Sequence, residues 1–140
     1  MVFKRLSGLF GSEEEGGTIE PRRAFESQHV TIDRLGPVLH TAILSETVSD
    51  REAQIVFNEV NALIDEGCAG LIVDLKLVTV FTSAGIGAMV RLHHRLDEVG
   101  GRLALCSANE ELSELFRLTR MDRLFALAPD RDAALRALRA

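Results

Sequence analysis

The sequence predicts an α/β fold: a single domain with a mixed, mainly parallel sheet of about five strands, an N-terminal hairpin, and about four covering helices. Three observations lead there. Short apolar runs of strand length, such as "GLIVDL" at 70–75 and "RLALC" at 102–106, alternate with longer stretches at helical spacing. Glycines or capping residues punctuate the changes between the two patterns. The chain has 140 residues, 46% hydrophobic and 26% charged, which suits one core and little more.

Residues 1–26 are expected to be a tail, with the domain spanning 27–140. "GSEEEGGTIEPRR" mixes Gly, Ser, Pro and a charge run, and buries too little surface to order itself. Val2, Phe3, Leu6, Leu9 and Phe10 fall near helical spacing. A disordered leader is the preferred reading for so short a segment, a docking helix the other.

In 29–44, Val30 and Ile32 alternate with polar neighbours, Gly36-Pro37 supply a turn, and 38–44 return as the second strand of a hairpin. Ser49 and Glu52 form a capping box for a helix with Val56, Val60, Leu63 and Ile64 inward and Gly67 as its stop. The run 70–75 suits a strand covered on both faces. The next helix reaches about Val99 on a stripe of Met89, Leu92, Leu96 and Val99, ended by Gly100-Gly101. After the strand at 102–106, Ser107 and Glu110 read as a second capping box, with Leu112, Leu115 and Phe116 inward. "RLFALA" at 123–128 is a last short strand, and Pro129-Asp130 start a terminal helix carrying Ala134, Leu135 and Leu138.

Composition excludes several classes. A net charge of −5 leaves no excess of Lys and Arg to displace counterions from nucleic acid, and without Trp or Tyr base stacking has few platforms. No stretch approaches the ~20 apolar residues of a membrane span, so stable membrane insertion is not expected. The first residues do not make a signal peptide, and the expected location is the cytoplasm. Cys68 and Cys106 lack a CxxC partner, so no zinc site of the usual spacing is expected, and Cys106 reads as a small core residue.

Catalytic motifs are missing as well. No GxxxxGK[ST] or GxGxxG follows a strand, so no nucleotide cofactor is indicated. His93 and Asp97, four apart, are read as solvated helix residues ahead of a weak metal or ion-pair site. A hydrolase elbow would read GxSxG, whereas Phe81-Thr82-Ser83-Ala84-Gly85 lacks the first glycine. Asp74 closes a buried strand and, alone, suggests hydrogen bonding rather than acid–base work.

"VFTSAGIGAMV" at 80–90 has a strand-to-helix turn with two hydroxyls. Ser83 is expected as the N-cap, its hydroxyl accepting from a free N–H, with Thr82 able to do the same one residue earlier. A helix N-terminus also accommodates anions, so a phosphate on Ser83 would be tolerated while adding nearly two negative charges to the edge. Gly85 and Gly87 keep side chains off the first turn, letting a partner approach.

The stretch "GLIVDLKLVTVFTSAGIGAMVRLHHRLDEVGGRLALC" resembles the signature of STAS domains, the anti-sigma factor antagonist family. Asp74-Leu75 matches the family's strand end, Val78-Thr79 its linker, and Ser83, Gly85, Ile86 and Gly87 its Asp-Ser-Ser-Gly-Leu-Gly core. "NEELSELFRLTRMDRLFALAPDRDAAL" resembles the closing helix, strand and helix, so the likeness runs from about residue 29 to 140. Thr82 replaces the usual Asp, Ala84 the second serine, and Lys76-Leu77 the usual Ser-Gly, giving a bulkier and more basic loop.

The resemblance implies a non-enzymatic switch. Its serine, at the Ser83 position, is phosphorylated by a partner that is both serine kinase and anti-sigma factor. The unphosphorylated form binds that partner and releases a sigma factor, and a phosphatase resets the cycle. The expected phosphoacceptor is Ser83, with Thr82 as the other acceptor. The expected partner-binding residues are Asp74, Lys76, Thr79, Thr82, Ser83, Gly85, Gly87 and Arg91. Arg91 and Arg95 would face an acidic partner or solvent. No cofactor or metal is expected, and a homodimer is left open. The alternative is a constitutive, unphosphorylated STAS scaffold subunit of a larger sensory or membrane lipid-transport complex.

Overall fold

The computed structural model describes residues 20–139. The apolar positions from Val2 to Phe10 therefore lie outside the described residues. Along the chain run β1 (Arg22–Glu26), β2 (Val30–Leu35), β3 (Val38–Ile43), β4 (Thr47–Val48), α1 (Asp50–Asn61), β5 (Gly70–Asp74), β6 (Val80–Phe81) and α2 (Ser83–Glu98). β7 (Arg102–Cys106), α3 (Glu110–Leu118), a 3-10 turn at Met121–Arg123, β8 (Ala126–Ala128) and α4 (Arg131–Arg139) complete it. The main sheet has six strands in the order β1-β2-β3-β5-β7-β8, and β4 and β6 form a separate two-stranded ribbon. β1, β2 and β3 pair antiparallel, and β3, β5, β7 and β8 pair parallel, as crossover helices require.

Alternation along the buried strands sends side chains to two cores. Ile32, Leu39, Leu71, Val73, Leu103 and Leu105 meet α1, α2 and α3 through Val56, Val60, Met89, Leu92, Leu96 and Phe116. Val38, Ile72, Ala104 and Cys106 face the other way, against Ala134 and Leu138 of α4. The Leu35↔Val38 pair leaves Gly36-Pro37 as a two-residue turn, and Gly36 takes the positive φ of 61° that its first position demands.

Four boundaries depart from the sequence expectation, each for a local reason. Arg22–Glu26, placed in the tail, is an edge strand; it has no apolar alternation of its own and is held by the β2 ladder and an Arg23–Asp33 ion pair at 2.6 Å. α1 stops at Asn61 rather than near Gly67, because Asp65 turns the chain: its Oδ1 accepts from the Gly67 N–H at 2.9 Å and its carbonyl from Cys68 at 3.0 Å. α3 is capped by Asn109, whose side chain accepts from Leu112 N–H at 2.8 Å; Ser107 instead sits at φ 62° and closes β7. The last strand starts at Ala126, since Arg123 ends a 3-10 turn that rotates Phe125 into the core.

Candidate functional site

Between β5 and α2 the chain is anchored at every third residue. Leu75, Val78 and Phe81 are buried, while Lys76, Leu77, Thr79, Val80 and Ser83 are exposed. Leu75 and Val78 each fix the pair of residues displayed after them, and Phe81 is followed by half-buried Thr82 and exposed Ser83. Leu77 and Val80 are half exposed, at 50% and 49%, an arrangement that leaves apolar surface in water on purpose-built supports. Backbone bonds hold the loop to the β4 segment: Thr79 and Val80 donate to the Glu46 carbonyl at 2.8 and 3.0 Å, and Thr82 N–H to Val48 at 3.1 Å. The Thr79 hydroxyl adds a bond to Glu46 O at 3.3 Å.

The two candidate acceptor hydroxyls have different circumstances. Thr82, not Ser83, is the N-cap of α2, and its hydroxyl donates to the Val48 carbonyl at 2.8 Å instead of capping an N–H. Ser83 is the first helical residue, exposed, and takes no part in capping. The expectation that Ser83 is the N-cap is thus corrected by one position: the fold uses Thr82 to clip the turn to β4. The first turn of α2 has no acidic residue of its own to offset its unpaired N–H groups.

Ser83, Gly87 and Arg91 recur at four-residue spacing and are all exposed, making one stripe along α2 that continues the loop surface. The Arg91 guanidinium lies 4.3 Å from the centroid of the Phe57 ring on α1, which holds it in place without neutralising it. The glycines divide. Gly87 is open to solvent, whereas Gly85 is buried and packed against Phe81. Arg95 also leaves the surface set: it donates to Asn61 Oδ1 at 3.0 Å and to the Ile64 carbonyl at 2.9 Å, closing the end of α1. His93 and Asp97 make a loose contact of 3.6 Å.

Asp74 follows Ile72 in the alternation, so it faces the α4 side of the sheet, away from α2. His40 Nε2 lies 3.1 Å from its Oδ2, and the Lys76 N–H donates to its Oδ1 at 3.0 Å. Burial opposes ionisation of this carboxyl, but the hydrogen bonds from His40 and Lys76 outweigh it and hold the group below the usual aspartate range. Asp74 therefore supports the start of the loop from behind. Cys106, beside it, has its thiol pushed up to about 11, chiefly by burial. Sequence reasoning found neither His40 nor Cys106 as neighbours of Asp74, nor Val80 as an exposed apolar residue of the loop. Only strand register, with Asp74↔Cys106 and Asp74↔Ala42, brings the first two together.

Fold and edge together define an α/β sheet domain with a rigidly supported, partly apolar loop leading into an exposed helix stripe. A family model for the STAS domain matches residues 42–134, and the chain belongs to that family. It is similar to a candidate anti-sigma factor antagonist, BtrV, of Bordetella bronchiseptica, at 27% identity over 110 residues covering 79% of this chain and 94% of that protein. Among solved structures, a candidate anti-sigma factor antagonist of Thermotoga maritima aligns with TM-score 0.70 and 21% identity, over 78% of this chain and 93% of that one. A STAS domain protein of Planctomyces limnophilus aligns with TM-score 0.68 and 20% identity, over 80% and 99%. No helix among the described residues is long and apolar enough to cross a membrane.

Proposed function

We propose that the protein is a partner-binding switch of the anti-sigma factor antagonist type, acting in the cytoplasm without catalysis of its own. Lys76, Leu77, Thr79, Val80, Gly87 and Arg91 bind a partner that is both anti-sigma factor and serine kinase, and phosphate on Ser83 releases it. A phosphatase restores the binding form. The observation that carries this reading is the contrast at the turn: Ser83 is exposed and outside the cap, while the neighbouring Thr82 hydroxyl is spent on Val48. Among the described residues the Ser83 hydroxyl has no tertiary bond for a kinase to break, whereas Thr82 must first give one up. The similarity to BtrV and the family membership support the class of partner.

Phosphate at the first position of α2 sits well with the helix dipole and so does not unfold the domain. Its close to two negative charges fall between Val80 and Gly87, where an apolar and close-fitting contact would otherwise form. Trypsin releases residues 77–91 as one peptide, with Thr79, Thr82 and Ser83 as its three hydroxyls. After incubation with the kinase partner and ATP, fragmentation of this peptide should place a single phosphate on Ser83. Phosphate on Thr82 would move the switch by one residue. An unmodified peptide would remove the switch and favour the constitutive scaffold reading.

A further inference from the structure

The opposite face of the sheet carries a second constellation, which the loop and helix stripe do not use. His40, Asp74 and Cys106 project from the adjacent parallel strands β3, β5 and β7. One nitrogen, one carboxylate oxygen and one sulfur from these three side chains lie within 4.8 Å of one another. α4 packs chiefly over β5, β7 and β8 on this face and meets β3 at its start, through Val38, two residues before His40. The His40 and Asp74 side chains keep 13% and 17% of their surface in solvent, and Cys106 is buried. The cluster thus combines two partly exposed donors with one buried sulfur.

We propose that His40, Asp74 and Cys106 bind a zinc-class divalent transition-metal ion, with water completing a four-coordinate site. The donor set decides the metal. A sulfur, an imidazole nitrogen and a single carboxylate suit zinc or cobalt and are a poor match for magnesium or calcium, which take oxygen ligands. Bond lengths of about 2.0–2.3 Å require donors about 3.3–3.8 Å apart in a tetrahedron, so separations of up to 4.8 Å have to close by about 1 Å at most. Asp74 is already oriented: its Oδ1 is fixed by the Lys76 N–H at 3.0 Å, and the ion would replace the present contact of 3.1 Å between its Oδ2 and His40 Nε2. On binding, the Cys106 thiol yields its proton to solvent and Sγ bonds the metal. Such an ion would tie β3 and β7 to the residue from which the 75–83 loop departs. The site stands whether or not Ser83 is a phosphoacceptor.

Metal-free, reduced protein titrated with Co²⁺ tests this. One equivalent should produce a thiolate-to-cobalt charge-transfer band with tetrahedral d–d bands, and Zn²⁺ should bleach both. Cys106→Ser should abolish the charge-transfer band, His40→Gln should weaken binding at least about tenfold, and Cys68→Ser should change nothing. Circular dichroism establishes that each variant folds, and His40→Gln alone decides the matter if Cys106→Ser does not. The proposal fails if no band develops at a large excess of Co²⁺. It also fails if the band survives Cys106→Ser, depends on Cys68, or keeps full affinity in His40→Gln.

Discussion

Gly85 and Gly87 sit two residues apart in the first turns of α2, and alanine at the two positions should act in opposite directions. A Cβ on Gly87 meets nothing within 4 Å, so Gly87→Ala should gain the helix-propensity difference of about 1 kcal/mol. A Cβ on Gly85 would stand 2.9–3.0 Å from three atoms of the Phe81 ring. That ring cannot swing away freely, because it is buried and packed edge-on against Phe116 with centroids 5.5 Å apart. Overpacking of this kind costs about 1–3 kcal/mol. The propensity gain is common to both variants, so the gap between them isolates the clash at about 1–3 kcal/mol, or several degrees in melting temperature. Urea unfolding followed by circular dichroism measures it. Equal stabilisation of both variants would refute the picture of Phe81 as a fixed wall. Gly87→Ala carries a second consequence: the more stable protein should bind its partner less well, because the added methyl lies on the proposed docking stripe.

Thr82→Val removes the hydroxyl bond to Val48 at nearly constant volume and should cost about 0.5–1.5 kcal/mol in urea unfolding, with a null result showing that the clip is not used. Arg91→Ala gives up an exposed cation–π contact of about 0.5–1 kcal/mol, yet should weaken partner binding in calorimetry by more than that stability change. Asp74 has a lowered folded pKa, so its contribution is present above the unfolded value near about 4 and is lost as pH falls through the folded one. The stability difference between the native protein and Asp74→Asn should therefore shrink in acid, and a difference constant down to the acid transition would contradict the assignment.

Much of this architecture is legible in the sequence because the cues are local. Glu52 accepts from the Ser49 N–H at 3.2 Å, as the spacing of the capping box indicates. Gly100 takes φ 78° and Gly101 donates to the Leu96 carbonyl at 2.8 Å, ending α2 where the paired glycines stand. What escaped notice depends on distant partners. β1 is polar in sequence and exists through pairing with β2. Leu63 and Ile64 continue a helical pattern, but Asp65 turns the chain there. At the candidate site the motif residues were visible, whereas their division was not. Gly85 faces Phe81, and Asp74 points to the other side of the sheet, because strand alternation and ring packing decide orientation. His40 and Asp74 lie 34 positions apart and meet only through β3–β5 register.

The central claim is that the charge state of Ser83 governs partner binding at the surface from Lys76 to Arg91. Titration calorimetry of the kinase partner against unphosphorylated and Ser83-phosphorylated protein, with Ser83→Ala as the unmodifiable control, addresses it directly. Phosphorylation should weaken binding at least about tenfold, equivalent to about 1.4 kcal/mol, while Ser83→Ala binds like the unmodified protein. Equal affinities for the two forms, with both folded, would contradict the account.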